Sequence, residues 1–117
     1  MEIPYIQMSV YFSYILRIKK KIEHSIFKIC ESIAESNEWE VVQPNPKAMG
    51  PYAFKGNQWV GYDDEDIVKL KAHYVNEKKL GGIMFWSIDN DDFRGKCHGR
   101  PYPLIEAAKE ALLTDNR

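Results

Sequence analysis

Apolar residues recur every three or four positions from Ile15 to Ser36. Ile15, Ile18, Ile22, Ile26, Ile29 and Ile33 mark one side, with Lys and Glu between them, the spacing of an amphipathic helix. WEVV (39–42) reads as a short strand, and QPNPKAMGP after it is a loop broken by three prolines and a glycine. PYAFKGNQWVGYDD reads as a β-hairpin, two aromatic-rich runs around Lys55-Gly56-Asn57. A helix follows. Asp63 or Asp64 caps it, Glu65 and Asp66 sit in its first turn, and Ile67, Leu70, Tyr74 and Val75 form its apolar face. Lys78 and Lys79 lie in its last turn, and Gly81 supplies the left-handed stop.

IMFWSI (83–88) is a continuous apolar run of strand length, which implies burial on both faces, as in a parallel sheet. A last helix begins at Pro103, with Leu104, Ile105, Ala108, Ala111 and Leu112 on its apolar side. Helix, buried strand, helix is the order of an α/β fold. The pattern shows no second strand buried on both faces, so IMFWSI reads as one stave of a larger domain. Alternation puts Met84, Trp86 and Ile88 on one face of it and Ile83, Phe85 and Ser87 on the other.

The 117 residues suffice for one domain, and a net charge of −1 gives no electrostatic case for nucleic acid or an anionic membrane. The apolar stretch from Ile6 to Ile18 is too short and interrupted to span a bilayer. With Glu2 before it and Lys19, Lys20 and Lys21 after it, its polarity is wrong for a signal peptide. Three Trp, seven Tyr and five Phe are many for this length, and aromatics fill cores or form platforms for flat ligands.

Asp89, Asp91 and Asp92 are the obvious acid/base candidates. Asp89-Asn90-Asp91 opens like a calcium loop, but Phe93 and Arg94 stand where a further oxygen ligand and a glycine are needed. No base or nucleophile accompanies the trio, so loop capping and structural hydrogen bonds are its expected role. Cys30 and Cys97 have no Cys or His partner at zinc-ligand spacing, and adjacent residues such as Cys97 and His98 rarely share one tetrahedral metal. No metal and no cofactor is expected. The two thiols are either free or paired, and a bridge would close a loop of nearly 70 residues, contributing about 4 kcal/mol in the chain-entropy model.

GGIMFWSIDNDDFRGKC, followed by RPYPLIEAAKEAL, resembles the end of the catalytic domain of glycoside hydrolase family 18, the chitinases and chitinase-like lectins. GPYAFKGNQWVGYDD is similar to the segment that finishes the α+β insertion domain of those enzymes, and FKICESI to their Tyr-Glu-Ile-Cys helix. The resemblance runs from about Ile26 to Leu113, leaving residues 1–25 unmatched. It implies a C-terminal fragment of a (β/α)₈ barrel, in which 26–63 end the insertion domain and 64–117 carry the last helix–strand–helix. It further implies Trp86 as the floor of the subsite for the N-acetylglucosamine ring being cleaved, Met84 lining the pocket below, a Cys30–Cys97 disulfide, and secretion. The implied partners are chitin or N-acetylglucosamine oligosaccharides.

Family 18 hydrolysis uses an Asp-x-Asp-x-Glu whose Glu protonates the leaving oxygen while the substrate's acetamide attacks the anomeric carbon. No such motif occurs in the sequence, so no catalytic residue is assigned and the chain by itself is expected to be inactive. Two other readings stand beside the hydrolase fragment: a chitinase-like lectin, and a small independent α/β adaptor that uses the apolar N-terminal helix for partner binding.

Overall fold

The computed structural model describes residues 8–11 and 26–114. The elements run β1 (Met8–Tyr11), α1 (Ile26–Glu35), β2 (Glu40–Val42), β3 (Tyr52–Lys55), β4 (Gln58–Gly61), α2 (Glu65–Glu77), β5 (Ile83–Trp86) and α3 (Pro103–Thr114). They form a mixed α/β fold. The part of the first expected helix that precedes Ile26 lies outside the described residues.

Two sheets result. β2, β3 and β4 form an antiparallel meander in that order, with Lys55 opposite Gln58 across the Gly56-Asn57 turn. Gly56 takes φ +56° there, a left-handed value that glycine adopts without a Cβ clash. β1 and β5 pair in parallel, Met8 opposite Ile83 and Tyr11 opposite Trp86. The apolar run therefore does have a parallel neighbour in this chain. The pattern concealed it because MSVY is only four residues long and sits inside a longer apolar stretch.

Burial of IMFWSI on both faces is not what the fold provides. Ile83 and Phe85 pack on a core of Val68 and Ala72 from α2 with Leu104, Ala108 and Ala111 from α3. On the opposite face Met84 is half-buried and Trp86 is 67% exposed. Among the described residues, helices cover one side of the strand only, which is the physical reason.

The stripe of α2 is also rotated from the expected one. Ile67, Val68, Ala72 and Val75 are buried, whereas Leu70 and Tyr74 are exposed. Positions 68, 72 and 75 lie one turn apart on a single face, and 70 and 74 fall well away from it. Ala72 clusters with Ala108 and Ala111, which brings the two helices into close contact through small side chains. Arg100 joins their outer surfaces, donating to Glu65 at 3.0 Å and Glu110 at 2.6 Å.

Asp64 is the N-cap of α2, its carboxylate accepting from the Ile67 backbone N–H at 2.9 Å. The neighbouring Asp63 pairs with Lys71 at 2.7 Å instead. The helix stops earlier than Gly81. Lys79 takes the left-handed conformation at φ +54°, Leu80 N–H donates to Val75 O, and Lys79 N–H donates to Asn76 O, the paired bonds of a Schellman motif. Once those two bonds close the helix, Gly81 lies beyond the position that needs positive φ.

A second cluster joins α1 to the meander through Ile29, Ala53 and Val60, with Ile33 and Trp39 beside them. Tyr62 packs against both clusters. It is the apolar joint between the two sheets' helical layers. Burial, and then the nearby Asp64 charge, push its phenol above the ordinary tyrosine range.

Candidate functional site

Trp86 ends β5. Its peptide bond to Ser87 is cis, and its indole stands on the strand face turned away from α2 and α3. Phe85, Trp86, Ser87, Ile88, Asp89, Phe93 and Tyr102 surround an open depression of about 580 Å³ beside it. Met84 shares Trp86's strand face by alternation but lies outside that depression. Phe93 and Tyr102 were not singled out from sequence. The available signal was Tyr102 directly before Pro103: the chain takes φ +52° at Tyr102 to enter α3.

The acidic trio divides its work. Asp89 is exposed, and its carboxylate accepts from the Ser87 hydroxyl. Asp91 is fully buried and caps α3, accepting from Leu104 N–H at 3.2 Å and Ile105 N–H at 3.1 Å. These donors would otherwise be unpaired at a helix start. Burial pushes its carboxyl above the ordinary range, and the N–H donors pull part of the way back.

Asp92, 1% exposed, is the anchor of the loop behind the strand. Its carboxylate accepts from the backbone N–H groups of Lys96 (3.1 Å), Cys97 (2.8 Å) and His98 (3.2 Å), and faces His98 Nδ1 at 3.3 Å. Burial opposes its charge, but the N–H donors of Cys97 and His98, the His98 ring and Lys96 N–H outweigh that, holding the carboxyl below its ordinary value. Its carbonyl accepts from Gly95 and Tyr102 N–H. Asp91 and Asp92 are thus loop and cap residues, as the sequence reading expected, with their acceptor positions filled by backbone.

Cys97, carried on that loop, is bonded to Cys30 of α1 with a Cα separation of 6.3 Å, within the ordinary disulfide range. The bridge resolves the open alternative between free and paired thiols. A groove of about 400 Å³ runs alongside it, lined by Ile29, Cys30, Ile33, Val41, Tyr62 and His98 among others.

Trp86 thus leaves its indole exposed at the C-terminal end of a parallel strand, while the carboxylates of Asp91 and Asp92 are held by backbone N–H groups. The model for the glycosyl hydrolases family 18 matches residues 12–91. The chain belongs to that family. The match opens at residue 12, inside the segment that the sequence resemblance left unmatched.

Among the family 18 relatives, the probable chitinase 10 of Drosophila melanogaster is 38% identical over 87 residues, 74% of this chain and 4% of the relative. Of solved structures, catalytic domain 2 of the Ostrinia furnacalis Group II chitinase superposes with a TM-score of 0.70 at 38% identity, over 77% of this chain and 24% of that one. Human YKL-39, described as a pseudo-chitinase with retained chitooligosaccharide binding, gives 0.66 at 42% identity, over 75% of this chain and 23% of its own. The family 18 chain spans between 4% and 17% of the length of the curated relatives it matches. Among the described residues no helix is long and apolar enough to cross a membrane.

Proposed function

We propose that this family 18 chain is the closing part of a chitinase catalytic domain, and that Trp86, with Met84 beneath it, forms the floor for an N-acetylglucosamine ring. Residues 26–63 then end the insertion domain, and α2, β5 and α3 are the last helix–strand–helix of a (β/α)₈ barrel. The activity of the whole protein is hydrolysis of β-1,4-linked N-acetylglucosamine polymers with retention, through substrate-assisted chemistry. Secretion accords with the Cys30–Cys97 bridge.

The observation that carries this reading is the asymmetry of β5. Ile83 and Phe85 are spent on the helical core, while an indole 67% exposed is left on the other face. The face of an indole packs against the axial C–H bonds of a pyranose, and its large apolar area rewards being covered. The acid that cleaves the bond is not among this chain's residues, so the contribution of this stretch is orientation. It holds one ring where a proton can reach the leaving glycosidic oxygen and the ring's own acetamide can reach the anomeric carbon.

The test is titration of the chain with N-acetylglucosamine oligomers, followed by tryptophan fluorescence. Trp86→Ala is expected to abolish the response and Trp59→Ala, on the hairpin, to preserve it. Equal responses from the two variants would overturn the assignment.

The second reading is a chitinase-like lectin that binds without cleaving. It is favoured by the similarity to a pseudo-chitinase. Release of reducing ends from chitin oligomers by the whole protein separates the two: an enzyme gives them, a lectin does not.

A further inference from the structure

Stacking on Trp86 does not by itself choose a sugar. Any β-linked pyranose presents axial C–H bonds to an indole face, so the floor would take a glucose polymer as well as an N-acetylated one. What lies beside the floor can tell them apart. Ile88, Phe93 and Tyr102 line the depression of about 580 Å³ next to the indole, and Ser87 and Asp89 bring polar groups to it. With Trp86 as the floor, a reading on which this depends, we infer that the depression is an acetamide pocket. Its apolar wall receives the methyl group and the Asp89 carboxylate accepts from the amide N–H, so Asp89 and Phe93 select N-acetylated sugars over their plain counterparts. The ring on Trp86 keeps its own acetamide for the anomeric carbon, and the group received here belongs to an adjoining ring of the same oligomer.

Asp89 is set up as an acceptor. Residues Ile88–Asn90 make a single 3₁₀ turn, with Asn90 N–H donating to Ser87 O at 2.9 Å. Across that turn Asn90 Nδ2 donates to the Ser87 hydroxyl at 3.1 Å, and the hydroxyl donates to Oδ1 of Asp89. A hydroxyl that accepts one bond and gives another has its proton aimed, so this relay orients the carboxylate. Asp89 is exposed, and its other oxygen accepts from no described residue. Asp91 and Asp92 differ, because backbone N–H groups fill their oxygens. A carboxylate already held in place makes a strong bond to an amide donor.

The wall is held as well. Tyr102 N–H donates to Asp92 O at 3.0 Å and Phe93 N–H to Asp91 O at 2.8 Å, which ties the backbone of both residues to the two buried acids. The Tyr102 carbonyl accepts from Glu106 N–H at 2.9 Å, in the first turn of α3. Phe93 and Ile88 are exposed all the same, and apolar surface left open in this way is stabilised when a methyl group covers it. A glucose hydroxyl brings no methyl to these side chains. An acetamide covers them and offers its N–H at once, a match to a mostly apolar pocket with few, fixed polar groups.

The experiment titrates the whole chain with the β-1,4 tetramer of N-acetylglucosamine and with that of glucose, reading tryptophan fluorescence. The N-acetylated tetramer is expected to bind about tenfold more tightly or better. Asp89→Ala and Phe93→Ala should each narrow that preference by about threefold or more, weakening the N-acetylated tetramer and leaving the glucose tetramer as in the wild type. Both side chains are exposed, and unchanged circular dichroism checks that each variant folds. If one does not, the other still reads the pocket. Equal wild-type affinities for the two tetramers, or a preference that survives in a folded variant at either position, overturns the acetamide pocket and leaves the Trp86 floor standing. A wild-type chain that responds to neither tetramer removes the floor, and the pocket with it.

Discussion

Asp91 and Asp92 are consecutive and both buried, yet their carboxylates hold opposite ends of the segment that follows β5. Asp91 fixes the start of α3 through Leu104 and Ile105. Asp92 fixes the loop that carries Cys97 and His98. Two adjacent acids therefore set where the strand's exit goes, and so where Trp86 and Tyr102 stand relative to each other.

Asp92→Asn is expected to cost about 2–3 kcal/mol of stability, because an amide replaces a carboxylate that accepts from three backbone N–H groups. Asp91→Asn should cost less, about 1 kcal/mol, since burial already disfavours its charge and a neutral acceptor still serves Leu104 and Ile105. Urea unfolding of the two variants reads the difference, and equal losses would contradict the division of roles.

Stability is expected to respond to acid in two stages. The raised carboxyls of Asp91 and Asp63 take up protons in the folded chain before they do so in the unfolded one, so stability holds or rises as pH falls toward about 4. Asp92 is depressed, and its contribution is present above the unfolded carboxyl value of about 4 and lost as pH falls below it. The urea midpoint against pH checks this, and Asp92→Asn should flatten the drop on the acid side.

Lys79→Gly is expected to stabilise the chain by about 0.5–1 kcal/mol. Lys79 bears a Cβ at φ +54° in the left-handed turn that ends α2, a conformation that glycine takes without that strain and that offsets glycine's extra freedom when unfolded. A higher thermal midpoint with unchanged circular dichroism is the expected readout.

Gly95→Ala should do the reverse and cost about 2–3 kcal/mol. Gly95 sits at φ +65°, and a Cβ there would lie 2.5 Å from the Arg100 carbonyl carbon. Backbone must move to admit the methyl, and the loop holding Cys97 moves with it. Faster reduction of the Cys30–Cys97 bridge in the variant is the second measurable consequence.

Trp86→Ala is expected to change stability by under about 1 kcal/mol, because so exposed a ring buries little area on folding. Chemical unfolding of this variant beside the oligosaccharide titration separates a binding role from a packing one.

Local chemistry sufficed for much of this molecule. The Lys55-Gly56-Asn57 turn, the acidic start of α2, Pro103 at the head of α3 and the alternation along IMFW each depend on neighbours within a few residues, and all are where the pattern predicted them. The role of Asp91 and Asp92 was legible for the same reason, since carboxylates without a base beside them are more at home on backbone N–H groups. Contacts between distant segments decided the rest. The rotation of α2 toward Val68 and Ala72 follows from the small residues that α3 presents. β1 becomes a strand through its pairing with β5, more than 70 positions away. His98 reaches Cys30 only because a loop and a helix from different parts of the chain pack together. Periodicity records which face of an element is apolar, but the partner that covers that face, or leaves it open as at Trp86, is chosen by the assembled fold.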